Sequence, residues 1–145
     1  MGQAVLVAAC LALAVSPTVP GPGAGHVAVY DLDGHLVQEF ADAGRLNSPW
    51  GLAIAPRECG AFGGSLLVGD FGDGTIAAFD PVTGKFLDYL RDESAKPIAV
   101  DGLWGLAFGN GVTLGDADSL YSTAGPNQEQ DGIFGRLRYA GPAIR

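Results

Sequence analysis

Basic residues are scarce in this chain. It carries eight Lys and Arg against sixteen Asp and Glu over 145 residues, a formal net charge of −8, and no two of the eight are adjacent. Nucleic-acid binding rests on Lys and Arg neutralising phosphates, and anionic membranes attract basic clusters, so both partner classes are disfavoured. Cysteine is nearly absent. Cys10 and Cys59 are 49 residues apart with no Cys-x-x-Cys and no neighbouring histidine. That is too little for a disulfide framework; two small buried thiols or one disulfide are the readings left. Long apolar runs are also missing. Ala4 to Val15 is twelve residues, whereas a transmembrane helix takes about 20, so no span is predicted. Hydrolase signatures are absent: there is no Gly-x-Ser-x-Gly elbow and no His-Glu-x-x-His. The two histidines, His26 and His35, fall on one predicted hairpin and are expected to face solvent.

What is present is punctuation and a core. The chain has 23 Gly and 9 Pro yet is 48% hydrophobic, which suits many short strands and not a disordered linker. One passage is written twice. Ser48-Pro49-Trp50-Gly51-Leu52-Ala53-Ile54 is followed by Ser65-Leu66-Leu67-Val68-Gly69-Asp70, and Gly102-Leu103-Trp104-Gly105-Leu106-Ala107-Phe108 by Ser119-Leu120-Tyr121-Ser122-Thr123-Ala124. Fifty-four residues separate Trp50 from Trp104 and Ser65 from Ser119, a period typical of a repeat architecture. Two hairpins add to it. His26 to Asp31 turns at Asp33-Gly34 and returns as His35 to Phe40; Thr75 to Asp80 turns at Pro81 to Gly84 and returns as Lys85 to Leu90. Arg91 to Lys96 reads as a polar loop, and no amphipathic helix is predicted. One unit is four strands in about 50 residues, the size of a propeller blade.

The run Pro49-Trp50-Gly51-Leu52-Ala53, then Leu67-Val68-Gly69-Asp70, Gly74-Thr75-Ile76, Phe79-Asp80 and Gly84-Lys85-Phe86-Leu87 resembles an NHL-type propeller repeat. Residues 47–135 more closely resemble an uncharacterised family of secreted bacterial propeller-like proteins. Some of its members carry a C-terminal exosortase sorting signal. The stretches Gly60-Ala61-Phe62-Gly63-Gly64 and Asp101 to Gly111, and Asp131-Gly132-Ile133-Phe134-Gly135, carry that likeness. A looser similarity is to gluconolactonase-like propellers. The resemblance implies an all-β fold, a partial β-propeller of about two and a half four-stranded antiparallel blades, and it brings no activity with it. The expected organisation is residues 1–24 as an apolar segment and Pro/Gly loop, then blades over residues 25–145, with approximate repeats at 47–100 and 101–145.

The repeat places Val5 to Ala9 where Leu67 to Phe71 stands in the next unit, so Ala4 to Val15 reads first as a truncated blade strand. A secretory signal with Ala12-x-Ala14 as its cleavage site is the alternative, although no Lys or Arg precedes Arg45. Propellers close with about 4–8 blades. An arc of fewer than three predicts a fragment of a longer propeller, or completion by self-association.

Asn47 and Asp101 lead into the Trp strands, and inner strands line a propeller channel. Asn47, Trp50, Asp101 and Trp104 are therefore candidate ligand-binding residues, and Asn127 joins them through the similarity to gluconolactonase-like propellers, which hold a divalent ion with Glu, Asn and Asp and so imply Asn47, Asp101 and Asn127 here. The simplest reading of Trp50 and Trp104 themselves is packing between blades. Asp70, Asp73, Glu129 and Asp131 are the candidates for a divalent cation such as Ca²⁺, although Asp-Gly turns build hairpins without metal. No other cofactor and no catalytic residue is expected. The expected function is a non-catalytic, secreted or periplasmic propeller module that binds a protein or a glycan. The alternative is a metal-dependent, lactonase-like hydrolase.

Overall fold

The computed structural model describes the backbone of residues 5–10 and all of residues 21–40 and 42–141. Among the described residues, ten strands form three antiparallel sheets, each a meander in chain order. The first holds β1 (Val5–Cys10), β2 (His26–Asp31) and β3 (Leu36–Glu39). The second holds β4 (Pro49–Ile54), β5 (Leu66–Asp70), β6 (Ile76–Phe79) and β7 (Phe86–Tyr89). The third holds β8 (Leu103–Phe108), β9 (Ser119–Ala124) and β10 (Ile133–Arg138). Among the described residues there is a 3₁₀ turn at Gly60–Phe62, and Pro126–Glu129 forms a single turn in which Asn127 and Gln128 are left-handed, each with φ of 56°. The chain is thus all-β, and none of the sheets closes on itself. No helix of the described residues is long and apolar enough to cross a membrane. β1 pairs with β2 from Val5 opposite Asp31 to Cys10 opposite His26. The small-residue pair Ala12 and Ala14 and the side chain of Cys10 lie outside the described residues.

Turn chemistry closes both predicted hairpins. Asp31 Oδ1 accepts the amides of Asp33 and His35 at 3.0 and 2.8 Å. Asp80 Oδ1 accepts those of Val82 and Thr83 at 2.8 and 3.1 Å. These Asx-type bonds hold the chain while Gly34 and Gly84 take left-handed φ of 88° and 68°. The backbone amide of His35 holds the Asp31 carboxyl below its ordinary range, and that of Thr83 does the same for Asp80.

The two central strands of the middle sheet, β5 and β6, are buried on both faces, which is why they read as continuous apolar runs and not as alternating ones. Strand period sorts their side chains. Leu66, Val68, Ala77 and Phe79 pack with Val27, Val29, Phe40 and Leu46 on the side of the first sheet. Leu67, Ile76 and Ala78 pack with Leu103, Leu106 and Leu120 on the side of the third.

The sheets meet through their leading strands: β4 lies against β8, and β1 against β4. Gly51 sets how closely. A Cβ there would stand 2.5 Å from the Trp104 carbonyl oxygen and 3.0 Å from the Leu106 nitrogen. Both obstacles are backbone, so Gly51→Ala should push β8 away and cost about 1–3 kcal/mol, read as a lowered midpoint in urea unfolding. The doubled passage has doubled geometry. Ser48 and Gly102, one repeat apart, both turn with left-handed φ, 57° and 66°. The amides of Phe71 and Gly125, also one repeat apart, donate to the Ser48 and Gly102 carbonyls, each at 2.9 Å.

Candidate functional site

The chain reaches β4 by crossing over the loop that precedes β2. The Gly23 amide donates to the Leu46 carbonyl and the Ser48 amide to the Ala24 carbonyl, both at 2.8 Å. The left-handed Ser48 then swings the backbone into β4 and leaves Asn47 beneath the turn that joins β5 to β6. The Gly72 amide donates to the Asn47 carbonyl at 2.9 Å. Asn47 Nδ2 donates to Asp73 Oδ2 at 3.2 Å. The other oxygen of Asp73 accepts the Thr75 amide at 3.0 Å and the Thr75 hydroxyl at 2.8 Å.

Asp70, the last residue of β5, is less well served. It is fully buried, and its Oδ1 has no hydrogen-bond partner. Its Oδ2 is 3.4 Å from the Thr75 hydroxyl, whose one proton goes to the closer Asp73. Asn47 is buried as well, and its Oδ1 is also without a partner. Buried polar atoms are nearly always paired, because leaving one unpaired costs about 1–3 kcal/mol. Burial pushes the Asp70 pKa up to about 7. The backbone N–H of Asn47 and the Thr75 hydroxyl pull it down, while Asp73 and Asp42 repel its charge. Burial first, and then Asp70 and Asp73, also raise the Tyr89 phenol.

The same turn carries an aromatic residue, Phe71, next to Trp50 of β4. Trp50 is 61% exposed, with the Phe71 ring 6.4 Å away and tilted by 47°. The expected packing of Trp50 between sheets is therefore overturned. Period 2 sends Gly51, not Trp50, toward β8. Trp104 differs: a Cβ on Gly125 would stand 2.8 Å from its Cζ2, so the indole lies half-buried on that backbone. Gly125 occupies the repeat position of Phe71, and the missing side chain lets Trp104 settle.

The remaining candidates sit one repeat away. Asp101 Oδ2 accepts the Asn127 amide at 3.4 Å, and Asn127 Nδ2 donates to Asp131 Oδ2 at 3.3 Å. Asp101, Asn127, Glu129 and Asp131 are all exposed. The residues fall into two groups, Asn47, Trp50, Asp70 and Asp73 on the second sheet and Asp101, Trp104, Asn127 and Asp131 on the third. No hydrogen bond among the described residues joins them. Ala124 stands where Asp70 does one repeat earlier, so the third sheet has no buried carboxylate there. Thr75 and Asp42 were not singled out from sequence; the Asp-x-Thr spacing of Asp73 and Thr75 was the available signal.

Two other features lie elsewhere. Asp31, Asp33 and His35 bring ligand atoms within 4.8 Å of one another on an exposed turn, with His35 Nδ1 3.1 Å from Asp31 Oδ2. A cavity of about 490 Å³ opens beside Phe62, Leu67, Phe108, Leu120 and Leu137. Cys59 borders it as a free, half-buried thiol whose pKa burial raises.

No family model matches the chain. It is 40% identical over 119 residues to the uncharacterised protein L690 of Acanthamoeba polyphaga mimivirus, covering 82% of this chain and 30% of that protein. Protein R648 of the same virus is 38% identical over 126 residues, covering 83% and 30%. The chain thus spans about a third of the length of these curated relatives. The resemblance to secreted bacterial NHL-type or gluconolactonase-like proteins is corrected by these matches: the relatives are viral, and no family model supports an NHL assignment. Among solved structures, hydrazine synthase from Kuenenia stuttgartiensis is similar with a TM-score of 0.46 and 19% identity, covering 69% of this chain and 23% of that one.

Proposed function

We propose that this chain is an arc of a β-propeller that serves as a non-catalytic binding module, with a glycan as the ligand favoured over a protein surface. The observation that carries the ligand class is the exposed Trp50 beside Phe71. An indole held in the open beside a half-buried ring offers a stacking face for a sugar. Asp73, exposed two residues beyond Phe71, supplies a carboxylate for hydroxyls. The propeller reading is supported by three chain-ordered meanders whose leading strands lie against one another.

Titrating the protein with a panel of oligosaccharides while following tryptophan fluorescence tests the ligand class. A binding glycan should lose at least about tenfold in affinity with Trp50→Ala, and urea stability should stay within about 0.5 kcal/mol because Trp50 is exposed. Affinity unchanged by Trp50→Ala would remove the platform. Lactone turnover that a chelator abolishes would overturn the non-catalytic reading. An extracytoplasmic location belongs to the same proposal, and fractionation of cells expressing the tagged protein checks it.

A further inference from the structure

We propose that Asp70 and Asn47 hold a hard divalent cation, of the Ca²⁺ class, under the turn between β5 and β6. The proposal concerns the protein before it meets any glycan and stands whether or not one binds.

Four observations converge. Two side-chain oxygens, Asp70 Oδ1 and Asn47 Oδ1, are buried without partners. They belong to residues already tied into one constellation by the Asn47–Asp73, Thr75–Asp73 and Thr75–Asp70 contacts of 3.2, 2.8 and 3.4 Å. The charge around them is of one sign: Asp42 and Asp73 both act on Asp70, and no salt bridge among the described residues reaches any of the three. Arg45, the nearest basic residue in sequence, is committed elsewhere. Its guanidinium lies 4.6 Å over the Phe86 ring and donates to the Asp42 carbonyl at 2.8 Å. Finally, the turn closes over Asn47 because residue 72 is glycine. A Cβ there would collide with Asn47 Oδ1, so that oxygen is enclosed by backbone and a larger residue would displace it.

The donor set is all oxygen, which selects hard cations over zinc or copper. A carboxylate and an amide carbonyl supply two ligands. Ca²⁺ takes six to eight and completes its shell with backbone carbonyls and water, and Mg²⁺ would keep more water still. A bound ion would also order Phe71, which the same turn carries.

The chelator-treated 145-residue chain titrated with Tb³⁺ should give emission sensitised by Trp50, which sits beside Phe71. Ca²⁺ should displace it at up to about 1 mM, the range of weak extracellular sites. Asp70→Asn should weaken Ca²⁺ binding at least about tenfold, and so should Asn47→Ala. Asp131→Asn, on the third sheet, should leave it unchanged. Far-UV circular dichroism establishes that each variant is folded, and the wild-type titration stands even where a variant is not. The proposal is overturned if Ca²⁺ and Mg²⁺ neither displace Tb³⁺ nor raise the melting temperature of the wild-type protein. It is equally overturned if Asp131→Asn weakens binding and Asp70→Asn does not.

Discussion

Replacing Phe79 with alanine should cost about 3–5 kcal/mol of stability, the range for a buried Phe truncated in a core that cannot close the hole. Phe79 is fully buried in β6. Its ring meets Phe40 at 5.5 Å and Phe86 edge-on at 5.7 Å. Phe86 in turn meets Tyr89 at 5.1 Å. The aromatic chain thus joins the segment after β3 to β6 and β7, and removing its centre opens the junction between the first two sheets. Domains of this size are stable by about 5–15 kcal/mol, so a large share would be lost. Urea unfolding gives the answer. Val82→Ala, at an exposed turn position, serves as the control and should change stability by under about 0.5 kcal/mol. A loss below about 1 kcal/mol for Phe79→Ala would mean that the two sheets do not pack as described.

Stability of the chelated protein should fall as pH rises from about 4 to about 7, by on the order of 4 kcal/mol, because of Asp70. Its pKa is about 7 in the fold against an ordinary 3.8. Below 3.8 both folded and unfolded chains hold the proton, and the stabilisation is complete. Between the two values the unfolded chain has released the proton and the folded chain has not, so each rise in pH favours unfolding. Above about 7 both are ionised and the loss is complete. Asp42 and Asp73 deepen the effect, and the backbone N–H of Asn47 and the Thr75 hydroxyl oppose it. Asp31, Asp80, Asp88, Asp92 and Asp118 have lowered pKa values and act with the opposite sign. Their contribution is present above the ordinary value and is lost only at more acid pH, outside this window. Urea unfolding at about pH 5 and about pH 8 in chelator should show the fall, and Asp70→Asn should flatten it. At the higher pH the variant should be the more stable protein. A flat wild-type profile would mean that Asp70 ionises normally.

These two residues mark where the sequence was readable and where it was not. The hairpins were legible because Asp-Gly and Pro-Val-Thr-Gly turns act within a few residues: Asp31 and Asp80 cap their own turns whatever surrounds them. The period was legible because Ser48 and Gly102 must make the same left-handed bend into β4 and β8. The lineage was not. Motifs such as Pro-x-Gly-Leu-Ala answer to strand and turn geometry, which unrelated chains also satisfy, and the relatives found are viral proteins.

Site geometry was the least legible. Trp50 and Trp104 hold one repeat position, yet Trp50 stands in the open and Trp104 rests on Gly125. The difference lies in Phe71 against Gly125, a contact made 21 residues along the chain. Asp70 ends its strand as many turn-starting aspartates do, and nothing local distinguishes it. By itself the sequence determined strand positions, turns, repeat spacing and acidic character, since these follow from interactions among near neighbours. Only the tertiary structure decided that β5 and β6 are covered on both faces, that Gly51 lets β4 touch β8, and that Asp70 and Asn47 are shut away with unpaired oxygens. Burial depends on what other segments bring to the same place, and no window of neighbouring residues carries that information.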